Sequence, residues 1–217
     1  RDLLAHCVEI GIDKSTISRT ALLMQSAKTA LNHFASDCYE KFGSCNNGDI
    51  IFDFDEFSKQ PLDIKRRLIS AAQKWISNQK YRPRLSQVDG LINSIDEKIT
   101  FSGSGTICYF HDNSIRITRE VNASVCEIEA SNGVIYDRRW KLIARENCKD
   151  LTIKCLGEDG YTFLEPCIRK KIPYKTIIAL PALFNDNNLI NFPFLDPKSK
   201  FKFNLCKQPF NQFLLDH

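Results

Sequence analysis

Apolar residues recur with a helical period along the first part of the chain and with a period of two afterwards; the change falls just after Asp96-Glu97. Across residues 13–42, Ile17, Met24, Leu31 and Cys38 return every seven positions, with Ala27 and Phe34 between them. That stripe predicts one long helix contributing to a bundle core. Asp13 stands where an N-cap is needed and Gly43 where a helix stops. A loop over 43–48 and a short apolar segment over 50–54 lead to a second helix opening at Pro61. Its apolar face carries Ile64, Leu68, Ala72 and Trp75, while Arg67 and Lys74 share another side. Ser86-Gln87-Val88-Asp89 resembles a capping box and opens a third helix burying Val88, Leu91, Ile92 and Ile95.

Beyond residue 97, strands are predicted over 98–101, 106–110 and 114–119, the last two joined at His111-Asp112-Asn113. Ile115 and Ile117 alternate with Arg116 and Thr118, the pattern of a half-buried strand with a polar outer face. Further strands are expected over 140–144, 151–156, 177–180 and 189–192, with a helix within 161–171. The tail 198–217 mixes Phe and Lys and suits an edge strand or a cover for the sheet. The expectation is an α+β fold: a small helical domain over 1–97, then a mainly β domain with a mixed or antiparallel sheet over 98–217. Leu3-Leu4-Ala5, Val8 and Ile10 read as an amphipathic segment already under way at Arg1, and Met24 is the only methionine. The chain is therefore expected to be a piece of a longer protein.

Composition narrows the function classes. The chain has 217 residues, 43% hydrophobic and 26% charged, with a formal net charge of +4. Residues 1–97 balance 13 basic against 13 acidic residues, so the whole excess lies in 98–217, with 17 against 13. That suits nucleic acid without demanding it. No apolar run approaches the roughly 18 residues of a membrane span. Nine cysteines, an odd number without any C-x-x-C, read as reduced and mostly buried thiols of a cytoplasmic protein. A metal site would need His6, Cys7, His33, Cys38 and His111 to converge, and their spacing does not favour it.

Catalytic motifs are missing. There is no G-x-x-x-x-G-K loop and no G-x-S-x-G elbow, and Gly103-Ser104-Gly105 lacks a third glycine and reads as a turn. Asp49, Asp53, Asp55 and Glu56 do not match a calcium loop: counted from Asp53, the sixth position is Ser58 and the twelfth Ile64. They read as a solvated loop with helix-capping acids. The basic residues are more informative, although about half of such residues only keep a surface soluble. Three groups stand out as candidate RNA contacts. Arg66, Arg67, Arg82 and Arg84 flank the exit of the second helix, where Tyr81 offers a stacking face and Pro83 fixes the backbone. Arg138, Arg139, Lys141 and Arg145 surround Trp140, and Arg169, Lys170 and Lys171 precede Pro173-Tyr174.

Several short motifs occur in one order: Arg66-Arg67-Leu68, Tyr81-Arg82-Pro83-Arg84-Leu85, Thr100-Phe101-Ser102-Gly103, Thr118-Arg119-Glu120 and Tyr136-Asp137-Arg138. They continue through 151–157 and Arg169…Ile172-Pro173 to Ala179-Leu180-Pro181-Ala182-Leu183-Phe184. With the opening Arg1…Leu3-Leu4…Gly11-Ile12-Asp13, this set resembles the tRNA(Ile)-lysidine synthase family, in the portion carboxy-terminal to its PP-loop catalytic domain. The likeness covers roughly residues 1–195.

The resemblance implies a cytoplasmic ligase. With ATP and Mg2+ it adenylates the wobble cytidine of isoleucine tRNA, and the ε-amine of free lysine displaces AMP to give lysidine. The family's Ser-Gly-Gly-x-Asp-Ser signature does not occur here, so no catalytic, cofactor-binding or metal-ligating residue carries over, and ATP is expected to bind elsewhere in the parent enzyme. The partner implied for this chain is the tRNA body; homodimerisation stays open. The competing expectation is a non-enzymatic interaction module, in which Ile17, Met24, Leu31 and Phe34 are partly exposed to receive a protein.

Overall fold

The computed structural model describes Gly11 and residues 13–217. The expected amphipathic segment over 3–10, with His6 and Cys7, lies outside them. Helix α1 (Lys14–Phe42) begins where Asp13 Oδ1 accepts the Thr16 amide at 2.7 Å and ends at Gly43. Only its second half enters a core. Asn32, Ala35, Ser36 and Cys38 are buried, whereas Ile17, Phe34 and Met24 are exposed, Met24 to 69%. At about 1.5 Å per residue, this 29-residue helix outruns the elements it packs on. The bundle-core expectation therefore holds only from Leu31 onward, because heptad spacing specifies a face and not the depth of what covers it.

Strands β1 (Gly43–Asn46) and β2 (Asp49–Asp53) occupy much of what was expected to be a loop. They join through Asn47-Gly48, both at positive φ, which is the residue pair that a two-residue hairpin turn favours. Asp53 caps the short α2 (Phe54–Ser58). Helices α3 (Leu62–Ser77) and α4 (Leu85–Asp96) bury the faces their periodicity predicts. The cap of α4 is a correction: Arg84 is the N-cap, without a side-chain bond, and Asp89 turns to Arg66 instead.

β3 (Phe101–Gly103), β4 (Thr106–His111) and β5 (Ser114–Arg119) complete an antiparallel sheet in the order β1-β2-β5-β4-β3. Ile50 pairs with Ile117 and Phe52 with Ile115, and all four side chains enter one core with α3 and α4. The division expected at residue 97 thus marks a change of periodicity inside a single core. Strands from both sides of it share one sheet.

A second core follows. Strands β6 (Ile128–Glu129), β7 (Ile135–Tyr136), β8 (Trp140–Ala144) and β9 (Thr152–Cys155) precede the short helices α5 (Gly157–Thr162), α6 (Pro166–Arg169) and α7 (Tyr174–Ile177). Then come β10 (Pro181–Asn185), β11 (Asn188–Asn191), β12 (Phe201–Leu205) and helix α8 (Phe210–Asp216). The strands form two antiparallel sheets, β11-β10-β9-β6 and β12-β8-β7. The strand expected over 177–180 is instead the end of α7 and a connection. β10 starts at Pro181, a first position that needs no amide donor. The tail supplies the expected edge strand, β12, and α8 then returns to the first core, where Phe210 and Leu214 are buried. The architecture is α+β, with a helical region followed by a sheet-rich one.

The polar face of β5 is largely covered: Ser114 and Arg116 are half-buried and Thr118 is buried. Thr118 and Arg119 are buried in a seam between the two cores. There Arg119 Nε and Nη2 grip Asp137 at 2.9 and 3.1 Å. Thr176 donates to Asp49, which lies 3.8 Å from Arg116 Nη1. Asp49 is only 2% exposed, so it is not one of a group of solvated capping acids. No described helix is long and apolar enough to cross a membrane. The eight described cysteines are all unpaired; Cys38 and Cys108 are buried, but Cys45, Cys126, Cys167 and Cys206 are exposed, which corrects the mostly buried expectation.

Candidate nucleic-acid interface

The exit of α3 organises the surface. Asn78 ends the helix in the left-handed region, and its Nδ2 donates to the carbonyls of Asp137 and Arg138 at 3.1 and 3.3 Å. Asp137 and Arg138, both at positive φ, open the three-residue turn over 137–139 between β7 and β8. Arg138 is exposed on that turn, and the Tyr81-Arg82-Pro83-Arg84 elbow follows Asn78 in the chain. Tyr81 is 74% exposed, with Lys80 Nζ 5.6 Å from its ring centre, so one face remains available for stacking.

On the other flank of the elbow, Arg67 and Arg82 meet Ser70 and His217 around a cavity of about 230 Å³. Burial first, then Arg82, Lys74, Lys28 and Arg67, push the His217 imidazole down to about 3. Arg82 is itself held below its usual value by burial and by Arg67. Cations from α1, α3 and the elbow therefore share one field. Asn32 ties this face together: its Oδ1 accepts from Arg67 Nη1 at 2.7 Å, and its Nδ2 donates to the carbonyls of Leu215 and His217 at 3.1 and 2.8 Å.

The expected contacts divide. Arg67 and Arg82 line one cavity and the exposed Arg84 stands at the start of α4, whereas Arg138 is exposed on the β7–β8 turn and lines a different cavity, with Asn78 and Arg119. Arg66 lines the same cavity, but its fork is occupied by Asp89 at 2.7 and 3.0 Å, an ion pair between α3 and α4. Arg139 is a correction. It is 3% exposed, and Nη2 donates to the Gly48 carbonyl at 2.6 Å, so it ties the two sheets and meets no ligand. Trp140 is buried against Phe194 and cannot serve as a stacking platform.

Lys141 is exposed on β8, and Arg145 just past its end, where it pairs through its amide with the Lys200 carbonyl. Arg169 folds back onto the Leu164 and Thr162 carbonyls at 2.6 Å each, over the Tyr161 ring. Lys170 and Lys171 beside it are exposed, and among the described residues no contact or cavity joins this group to the elbow. Lys28, Ser70 and His217 escaped the sequence reading altogether. Lys74 had a signal, its seven-residue spacing from Arg67, and Asn32 had one as a polar residue next to the apolar stripe.

Asp49 and Asp137 are committed to Thr176 and Arg119, and Asp53 caps α2. Among the described residues no three His, Cys, Asp or Glu side chains come together as ligands. Asp49, Asp53 and Asp137 are therefore already engaged within the fold. No family model, curated protein or solved structure matches the chain.

Proposed function

We propose that this chain is a tRNA-holding part of a cytoplasmic tRNA(Ile)-lysidine synthase. The ATP-dependent ligation of lysine to the wobble cytidine belongs to a PP-loop domain outside these residues. The observation that carries the reading is the elbow: Lys28 of α1, Arg67 and Lys74 of α3 and Arg82 of the residue 81–84 segment all act on one site at His217, and Tyr81, next to Arg82 in the chain, is exposed. Guanidinium groups neutralise backbone phosphates and set register without reading bases, while the tyrosine ring stacks on a base or ribose. The ordered motifs from Arg66 to Phe184 support the resemblance to that family.

The test is binding of isoleucine tRNA, followed by anisotropy as salt is raised. About five phosphate contacts give a logarithmic slope on the order of −4. Reversing Arg82 and Arg84 to Glu is expected to weaken binding at low salt by at least about tenfold, since two attractions become repulsions. Thermal stability should hardly change, because both residues lie exposed in the elbow. An unchanged affinity would remove the elbow from the interface.

A second reading rests on a different observation. Ile17, Leu22, Leu23, Met24 and Phe34 are exposed along α1, as a protein-docking module would have them. Under that reading tRNA binding is weak, and changing salt scarcely affects association with the partner.

A further inference from the structure

We propose that the cavity between α3, the elbow and His217 is a site for one phosphate dianion, taken either as inorganic phosphate or as the terminal monoester of an RNA strand. Its charged and polar walls are Asp63, Arg66, Arg67, Ser70, Arg82 and His217, around about 230 Å³. That space holds several water volumes of roughly 30 Å³, enough for a phosphate.

Two buried nitrogens on these walls have no hydrogen-bond partner. Arg67 Nε is one, although Nη1 of the same guanidinium is satisfied by Asn32. The other is His217 Nδ1, while Nε2 sits 3.2 Å from Ser70 Oγ. Buried polar atoms in folded proteins are nearly always paired, so two orphans on one cavity mark the place of a missing partner. For Arg67 Nε, a donor only, that partner is an acceptor.

Charge selects the class of ligand. Lys28 on α1, Arg67 and Lys74 on α3, and Arg82 on the elbow all bear on His217. Asp63 is the one acidic side chain among the cavity's lining residues; Asp89, nearby, is already engaged by Arg66. A dianion answers this excess better than the single charge of a carboxylate or an internal phosphodiester. Its several oxygens also match separate donors from Arg67, Arg82 and Ser70. Pro83, Leu85 and Val88 form an apolar flank on which a terminal ribose could rest.

A bound dianion offsets the four cations, so His217 takes up a proton more readily than its empty-site value of about 3 allows. Phosphate binding is thereby linked to proton uptake at one identifiable ring.

The experiment is an NMR titration of the imidazole resonances of the full chain with inorganic phosphate, against potassium chloride at matched ionic strength. A saturable, phosphate-specific shift of His217, with its titration midpoint moved upward, is expected. Arg82→Gln and Ser70→Ala, which leave the Arg67–Asn32 tie intact, are expected to weaken it at least tenfold. An identical response to chloride, or no saturation in the millimolar range, overturns the site.

The RNA source rests on the tRNA-holding reading and has its own arm. A 5′-phosphorylated oligonucleotide binding several-fold tighter than its 5′-hydroxyl twin supports the terminal monoester. Equal affinities with an intact phosphate response assign the cavity to the free anion. A steep tRNA salt slope alongside a failed phosphate titration removes the cavity and leaves the tRNA-holding reading in place.

Discussion

Arg119→Ala is expected to lower stability by about 3–5 kcal/mol, the range for removing one partner of a buried ion pair. Both side chains of the Arg119–Asp137 pair are under a tenth exposed, at 8% and 9%. The guanidinium also donates to the Gly105 carbonyl at 2.9 Å and to the Ala123 carbonyl. Truncation leaves Asp137 in the seam without its fork and leaves two carbonyls without a donor. Gly105 belongs to the same device: its φ is +70, and a Cβ there would lie 2.6 Å from Arg119 Nη1. Urea denaturation with an unchanged m-value measures the loss. Replacing both Arg119 and Asp137 by Leu is expected to recover most of it, because no uncompensated charge then remains. A loss below about 1 kcal/mol, the size of an exposed pair, would show that the seam is wet and the pair marginal.

The second large effect is a dependence of stability on pH that Asp49 introduces. Burial pushes its carboxyl up from 3.8 to about 6, against the lowering influence of Thr176, Thr118, Arg139 and Arg116. The folded state thus holds the Asp49 proton at pH values where the unfolded chain has already released it. The stability Asp49 confers is complete below about 3.8 and is lost as pH rises to about 6. The slope is about 1.4 kcal/mol per pH unit across that window, or about 3 kcal/mol in all. Asp13 and Asp89 act in the opposite sense, since their lowered values favour the folded state as pH rises. The quantity to measure is therefore the difference between the wild type and Asp49→Asn in urea midpoints from pH 4 to 7. That difference should move in favour of the Asn variant as pH increases; a constant difference would place the Asp49 ionisation outside the window.

Both effects belong to the seam that joins the two cores, and the elbow inherits its geometry from the same place. Asn78 docks the end of α3 on the Asp137-Arg138 turn, and Asp137 is the residue that Arg119 grips. On the proposed tRNA-holding reading, loosening the seam should also disturb the end of α3 and weaken tRNA binding, whereas reversing charges at the elbow should leave the seam intact.

The sequence by itself determined the elements whose causes are local. Asp13 and Gly43 bound α1, the buried faces of α3 and α4 follow their periodicity, and the turn residues Asp112-Asn113 set the β4–β5 hairpin. Tertiary structure alone decided how deep each face lies and what each charge meets. Met24 and Cys38 share one heptad position, yet only Cys38 is covered. Arg138 and Arg139 are adjacent and chemically identical, but the turn directs the first to solvent and the second onto the Gly48 carbonyl. His217 meets Lys28 because α8 folds back across the whole chain. Periodicity and capping act over a few residues and can be read along the chain. Burial and electrostatics depend on distances in space, which only the closed core establishes.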